Sequence, residues 1–248
     1  MFNAQDVKSA IISWIAEYFQ TNASPQTKAV IGISGGKDSS VSAALCVEAL
    51  GKERVLGVLM PQGVQHDIDM SYSLCETLGI PNVEINIGKP AQEMYAAITE
   101  SGLVLNDAAT TNTPARLRMT TLYAVSGIVG GRVVNTCNLS EDWVGYSTKF
   151  GDAAGDFSPL SDLTVTEVKA VGRALGLPAK FIDKTPIDGL SGKTDEDNLG
   201  FSYAILDRYL REEICDDAAV KENIDRRHSM NLHKLNPMPS FRLKDRAY

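Results

Sequence analysis

No apolar run in these 248 residues approaches the ~18–20 that a membrane-spanning helix needs; the longest, at 55–60 and 122–130, are short and interrupted by glycine. An integral membrane protein is therefore not expected. The N-terminus lacks a basic segment and a small-residue cleavage site, and Asp6 precedes the first apolar stretch, so the expected location is cytoplasmic. Cysteine is scarce. Cys46, Cys75, Cys137 and Cys215 stand far apart with no CxxC or CxH spacing, which argues against a zinc site or a disulfide framework and predicts buried free thiols. Positive charge is not in excess: 24 Lys+Arg against 31 Asp+Glu leave −7, which argues against a non-specific nucleic-acid binder while allowing a local basic pocket for phosphates. No Pro/Ser-rich spacer, low-complexity run or repeat divides the sequence, so one domain over residues 1–248 is expected.

What the sequence does contain is an alternation of helical and strand patterns, the mark of a parallel sheet covered on both faces. Residues 5–20 carry Val7, Ile11, Ile12, Ile15, Tyr18 and Phe19 on one helical face. A short apolar strand at 29–33 runs into Ser34-Gly35-Gly36, and a helix over 38–50 stops at Gly51. A second strand at 54–60, a helix over 67–78 closed by Gly79, and a third strand at 83–87 complete a βαβαβ unit. A helix over 115–128 and a strand at 132–136 extend it. Beyond a Gly/Asp-rich loop at 138–159, helices are expected over 164–175, 195–211 and 217–231. The predicted fold is α/β, a doubly wound parallel sheet with helices on both faces.

The most specific local feature is Ile31-Gly32-Ile33-Ser34-Gly35-Gly36-Lys37-Asp38-Ser39-Ser40, between the first strand and its helix. Glycines let the backbone approach a ligand, and the helix start offers unpaired N–H groups and a positive dipole end to an anion. The spacing is neither GxxxxGK[ST] nor GxGxxG, so the ordinary P-loop and Rossmann readings fail. The SGGxDS motif resembles the loop of the ATP pyrophosphatases, adenine nucleotide alpha-hydrolase-like enzymes that cleave ATP between its α and β phosphates. That resemblance implies ATP contacts from Gly32, Ile33, Ser34, Gly35, Gly36, Lys37, Asp38 and Ser39.

The rest of the chain resembles one branch of that superfamily, the ammonia-using NAD synthetases. Matching stretches are Ala115-Arg116-Leu117-Arg118-Met119 with Tyr123, Asn135-Thr136-Cys137-Asn138-Leu139-Ser140-Glu141, and Gly145-Tyr146-Ser147-Thr148-Lys149-Phe150-Gly151-Asp152. Asp156, Ser158-Pro159-Leu160, Lys184-Thr185-Pro186, Thr194-Asp195-Glu196 and His233-Lys234 continue the match. The resemblance implies amidation of deamido-NAD by ammonia, with ATP as co-substrate. It places magnesium on Asp38 and Glu141, an ATP contact at Thr136, and deamido-NAD contacts at Arg116, Lys149, Asp156, His233 and Lys234. It also implies a homodimer, and ammonia either free or supplied by a separate glutaminase, since a nitrilase-like glutaminase does not fit in this length beside a synthetase body. Hard oxygen ligands suit magnesium, and cations near the phosphates would neutralise charge on departing pyrophosphate. His66 and His228 are expected to be structural. Two positions depart from the family pattern. Val165 stands where a lysine usually contacts ATP, and Ile187 where a Ser or Thr usually follows Lys-x-Pro; Lys37 is the candidate to replace the missing cation. Two further readings are an enzyme of the same superfamily that adenylylates a tRNA base and a nucleotide sensor that has lost catalysis. The acidic balance argues against the first, and Asp38 with Glu141 against the second.

Overall fold

Strand β1 (Lys28–Gly32) is apolar on both faces because both faces are covered. In the computed structural model, which describes residues 2–184 and 194–241, it lies between β2 (Val55–Leu59) and β4 (Gly131–Val133), with β3 (Asn82–Glu84) beyond β2. All pairings are parallel, in the order β3-β2-β1-β4, and Val30 stands level with Leu56 on one side and Val133 on the other. Side chains alternate along a strand. Ala29, Ile31 and Ile33 therefore face one layer, formed by α1 (Ala4–Asn22), α2 (Lys37–Leu50), α3 (Ile68–Leu78), α7 (Val165–Ala174) and α8 (Ala179–Ile182), where Ile15, Leu45, Leu74, Val168 and Phe181 are buried. Val30 faces the opposite layer, with Leu56 and Val58 of β2 and Met119, Leu122 and Val125 of α5 (Asp107–Val129). Each such Val, Leu, Ile, Phe or Met side chain stabilises the fold by about 1.5–3 kcal/mol when fully buried. The doubly wound prediction is borne out.

Several boundaries differ from the sequence reading. α4 (Gly88–Glu100), which packs on α5, was not expected. α5 starts at Asp107 under an Asn106 cap rather than at residue 115, running through a buried Pro114. The helix expected over 195–211 is two helices, α9 (Asp195–Leu199) and α10 (Tyr203–Glu212), because Gly200 turns the chain at φ +81° and Ser202 caps a new start. α11 (Ala218–Leu235) runs four residues past its expected end. α6 (Leu139–Trp143) lies in the stretch read as loop. These C-terminal helices enclose a third apolar cluster, Val144, Val165, Leu199, Phe201, Tyr203, Leu206 and Ile224. Cys46, Cys75 and Cys137 are buried free thiols as expected, whereas Cys215 is half-buried. Burial pushes Cys46 up to about 12 and Cys75 up to about 11. His228 stacks on Trp143 at 3.8 Å between ring centroids, in keeping with a structural role.

Candidate active site

In a sheet ordered β3-β2-β1-β4 the chain leaves β1 toward one side and reaches β4 on the other, and the crevice beyond their carboxyl ends is where doubly wound folds bind ligands. The loop after β1 opens into it. Ile33 continues the strand by donating its N–H to Val58 O at 3.0 Å. Gly35 then turns at φ +71°, where a Cβ would lie 2.8 Å from Met70 Cβ, so only glycine fits without strain. Ser34 Oγ and Ser39 Oγ are 3.0 Å apart, while the Ser39 and Ser40 hydroxyls donate to Gly36 O at 3.2 and 2.7 Å, closing the loop on the first turn of α2. Gly36 caps α2 without a side chain, which leaves the helix start open to an anion.

The loop after β4 brings Glu141 to the same place. Asn138 caps α6 by accepting from Glu141 N at 3.1 Å and donates through Nδ2 to Asp38 Oδ1 at 2.9 Å. One fully buried amide thus holds the Asp38 carboxylate and anchors the backbone that carries Glu141. Ser140, also buried, donates to Asp207 Oδ1 at 2.6 Å and accepts from Val165 N at 3.1 Å, which ties α6 to α7 and α10.

Lys37 is the unexpected element. Its side chain is 3% exposed, and Nζ lies 2.8 Å from Asp38 Oδ2 and 3.0 Å from Glu141 Oε1, rather than over the phosphate loop. Burial opposes charge on this ammonium, but Glu141 and Asp38 together outweigh it and hold the proton more tightly than an ordinary lysine does. Burial, with the neighbouring Asp38 charge, pushes the Glu141 carboxyl up from the usual range, against the pull of Lys37. The ammonium also lies 5.7 Å from the Tyr203 ring centroid. Tyr203 belongs to the apolar cluster that buries Val165, so valine at that position packs the C-terminal core. Ile187 falls outside the described residues. Lys184, just before it, pairs with Asp67 at 2.5 Å.

Among the described residues no group of three or more His, Cys, Asp or Glu could hold a metal alone. Two carboxylates converging on one point still fit magnesium, which keeps several waters and completes its shell with phosphate oxygens.

Arg116, Lys149, His233 and Lys234 meet around the 145–151 turns, the far end of the region, where Lys234 shares a cleft with Asn135 of the loop after β4. Arg116 Nε donates to Lys149 O at 3.3 Å, and Lys149 Nζ donates to His233 O. Lys234 Nζ donates to Gly145 O and Ser147 O at 2.7 and 2.9 Å, clamping the 145–147 turn to α11. Gly145, at φ +68°, is where α11 crosses so closely that a Cβ would overlap Asn231. Arg118 points elsewhere, donating to Met60 O at the end of β2. Thr136 follows β4, half-buried. Asp156 is exposed and partly committed to the fold: its Oδ2 accepts from Val133 N at 2.7 Å and its N–H donates to Val133 O, closing the free edge of β4. It nevertheless lines a cleft of about 240 Å³ with Asn135, Asp142 and Lys234. Burial pushes Asp142 up to about 6 and pulls the Lys234 ammonium below the usual lysine range.

The residues missed from sequence are those that position others, namely Asn138, Ser140, Asp207 and Tyr203. For Asn138 a signal existed, since Asn three residues before Glu141 is N-cap spacing.

These residues can be set beside known proteins. Residues 7–245 match the NAD synthase family. An NH(3)-dependent NAD(+) synthetase of Pyrococcus furiosus is 38% identical over 224 residues, 86% of this chain and 85% of that protein. Among solved structures, an NMN synthetase from Francisella tularensis superposes with a TM-score of 0.88 at 32% identity, covering 98% of this chain and 100% of that one. An NH3-dependent NAD synthetase from Campylobacter jejuni superposes at 0.77 with 28% identity, again covering 98% and 100%. With the phosphate loop, the Asp38–Glu141 pair and near full-length similarity in agreement, the chain belongs to the NAD synthase family.

Proposed function

We propose that this chain is an ATP-dependent amide ligase that joins ammonia to the nicotinate carboxylate of deamido-NAD, yielding NAD, AMP and pyrophosphate. The carboxylate oxygen attacks the α-phosphorus of ATP and pyrophosphate leaves. Ammonia then attacks the carbonyl carbon of the acyl adenylate, a proton is lost, and the C–O bond to AMP breaks. The observation that carries this reading is the meeting of the SGGxDS loop with two carboxylates from opposite sides of the switch point, Asp38 after β1 and Glu141 after β4. Gly32 to Ser39 would cradle the pyrophosphate, with Thr136 beside the nucleotide. Asp38 and Glu141 would hold magnesium, which neutralises charge developing on the phosphates. Arg116, Lys149, His233 and Lys234 suit the phosphates of the dinucleotide, and Asp156 the rim of its cleft. A homodimer in the cytoplasm, fed by free ammonia or by a separate glutaminase, completes the proposal. The test is incubation with ATP, magnesium, deamido-NAD and ammonium. NAD is expected with ammonium and not with glutamine alone; no NAD with ammonium would refute the reading.

One observation favours a second acyl substrate. The likeness to the Francisella NMN synthetase, at a TM-score of 0.88, exceeds that to the Campylobacter NAD synthetase at 0.77. Nicotinate mononucleotide carries the same carboxylate on half the dinucleotide. The ratio of kcat/KM for the two acids, measured in competition, decides which is preferred.

A further inference from the structure

Lys37 occupies the point on which the two proposed metal ligands converge. Its ammonium lies 2.8 Å from Asp38 Oδ2 and 3.0 Å from Glu141 Oε1. Magnesium binds carboxylate oxygens at about 2.0–2.1 Å, so an ion bridging these two oxygens would require the same space. A divalent ion and an ammonium cannot share it, because their repulsion in a poorly solvated site is several-fold stronger than in water. Asn138 holds the Asp38 carboxylate through Oδ1 and the Glu141 backbone through its N–H, so the Asp38 carboxylate and the start of the Glu141 side chain keep their place whichever cation lies between them. The Lys37 stem begins at the first residue of α2, directly after Gly36. An ammonium leaving the pair therefore remains on the phosphate loop.

From this geometry we propose that Lys37 is a tethered counter-ion that offsets one charge of the Asp38–Glu141 pair without nucleotide, yields to the divalent cation that arrives with ATP, and then moves onto the pyrophosphate oxygens. The proposal rests on the assignment of Asp38 and Glu141 as metal ligands. It makes metal and nucleotide entry cooperative. Metal alone must expel an ammonium that has no equally good partner, whereas a triphosphate supplies that partner.

The test uses Mn²⁺ as a probe, by calorimetry or electron paramagnetic resonance, on the parent, on Lys37→Gln, on Asp38→Asn and on Lys37→Gln with Asp38→Asn, without nucleotide and, for the parent and Asp38→Asn, also with α,β-methylene ATP. Lys37→Gln is expected to bind Mn²⁺ about tenfold or more tightly than the parent, within the usual range of coupling between sites. Adding Asp38→Asn is expected to remove the gain. If Lys37→Gln binds no more tightly, the counter-ion role is overturned; the metal assignment then stands if Asp38→Asn alone still weakens Mn²⁺ binding with α,β-methylene ATP present. A gain that survives Asp38→Asn overturns both. The parent provides a check independent of the variants' folding. Acetylation of Lys37 by acetic anhydride, read by mass spectrometry, is expected to be slow and to rise at saturating Mn²⁺. Labelling indifferent to Mn²⁺ overturns the displacement.

Discussion

At one end of the site a buried lysine lies between two carboxylates, while at the other Arg116, Lys149 and Lys234 spend their donors on backbone carbonyls. A carbonyl satisfies a hydrogen bond without cancelling a charge. The far-end cations thus hold the 145–151 turns to α5 and α11 without a direct ion pair among the described residues, which suits the proposed anionic ligand, whereas the near-end cation is already paired and under the same proposal exchanges partners when metal and nucleotide arrive. The difference predicts which kinetic constant each end controls: near-end groups act where charge changes during reaction, and far-end groups bind substrate and transition state alike.

Removing a near-end carboxylate should have the largest effect. Asp38→Asn and Glu141→Gln are each expected to lower NAD formation by about 10²–10³-fold with an unchanged circular dichroism spectrum, as for loss of a preorganised charge that acts on the transition state. Near-normal activity in both would dissolve the comparison. Arg116→Ala and Lys234→Met come next. Each is expected to raise KM for the dinucleotide by about tenfold while kcat changes little, the pattern of uniform binding. A fall in kcat as large as that of the near-end variants would show that the two ends are not separable.

The smallest effect belongs to a pair outside the crevice. Glu167 closes the capping box of α7 by accepting from Thr164 N at 2.8 Å, and Arg211 Nη2 reaches its Oε2 at 2.6 Å. Burial alone would raise this carboxyl, but the Arg211 hydrogen bond and charge, with Thr164, outweigh it and hold the carboxyl below the usual range. The stability it contributes is therefore present above the unfolded value and lost as pH falls through the lower folded one. Glu167→Gln is expected to lower stability near neutral pH by about 1–3 kcal/mol in urea unfolding, as for a hydrogen bond to a charged group. That deficit should shrink below about pH 4, near the ordinary glutamate value, and kcat should hold. A deficit constant with pH would place the effect in packing and not in charge.

Much of the scaffold was legible because its determinants are local. The β1–α2–β2–α3–β3 order follows from short apolar runs and from stops at Gly51 and Gly79, both found as helix C-caps. α4 escaped notice because its first turn holds Gly88 and Pro90, poor helix formers, although proline is tolerated there, and because it buries little beyond Gly88 and Ala91. Pro114 hid the first turns of α5; packing carries the helix through it despite the missing donor. In the site, the identities of the loop residues, Asp38 and Glu141 could be read from motifs, and Asn138 as a cap of α6 from its spacing, but its contact to the Asp38 carboxylate could not, since that residue lies 100 positions away.

The sequence by itself determined the alternation of elements, the phosphate loop and the presence of two carboxylates with hard oxygen donors, because each depends on neighbouring residues and on backbone conformation. Only the tertiary structure decided where Lys37 points. A lysine at a helix start would ordinarily extend into water. Here the loop after β4 carries Glu141 beside Asp38, and two like charges withdrawn from solvent need a cation between them. That need arises only once Glu141 is brought to Asp38 and to Lys37, which is 104 positions away from it, so nothing local in the chain can express it.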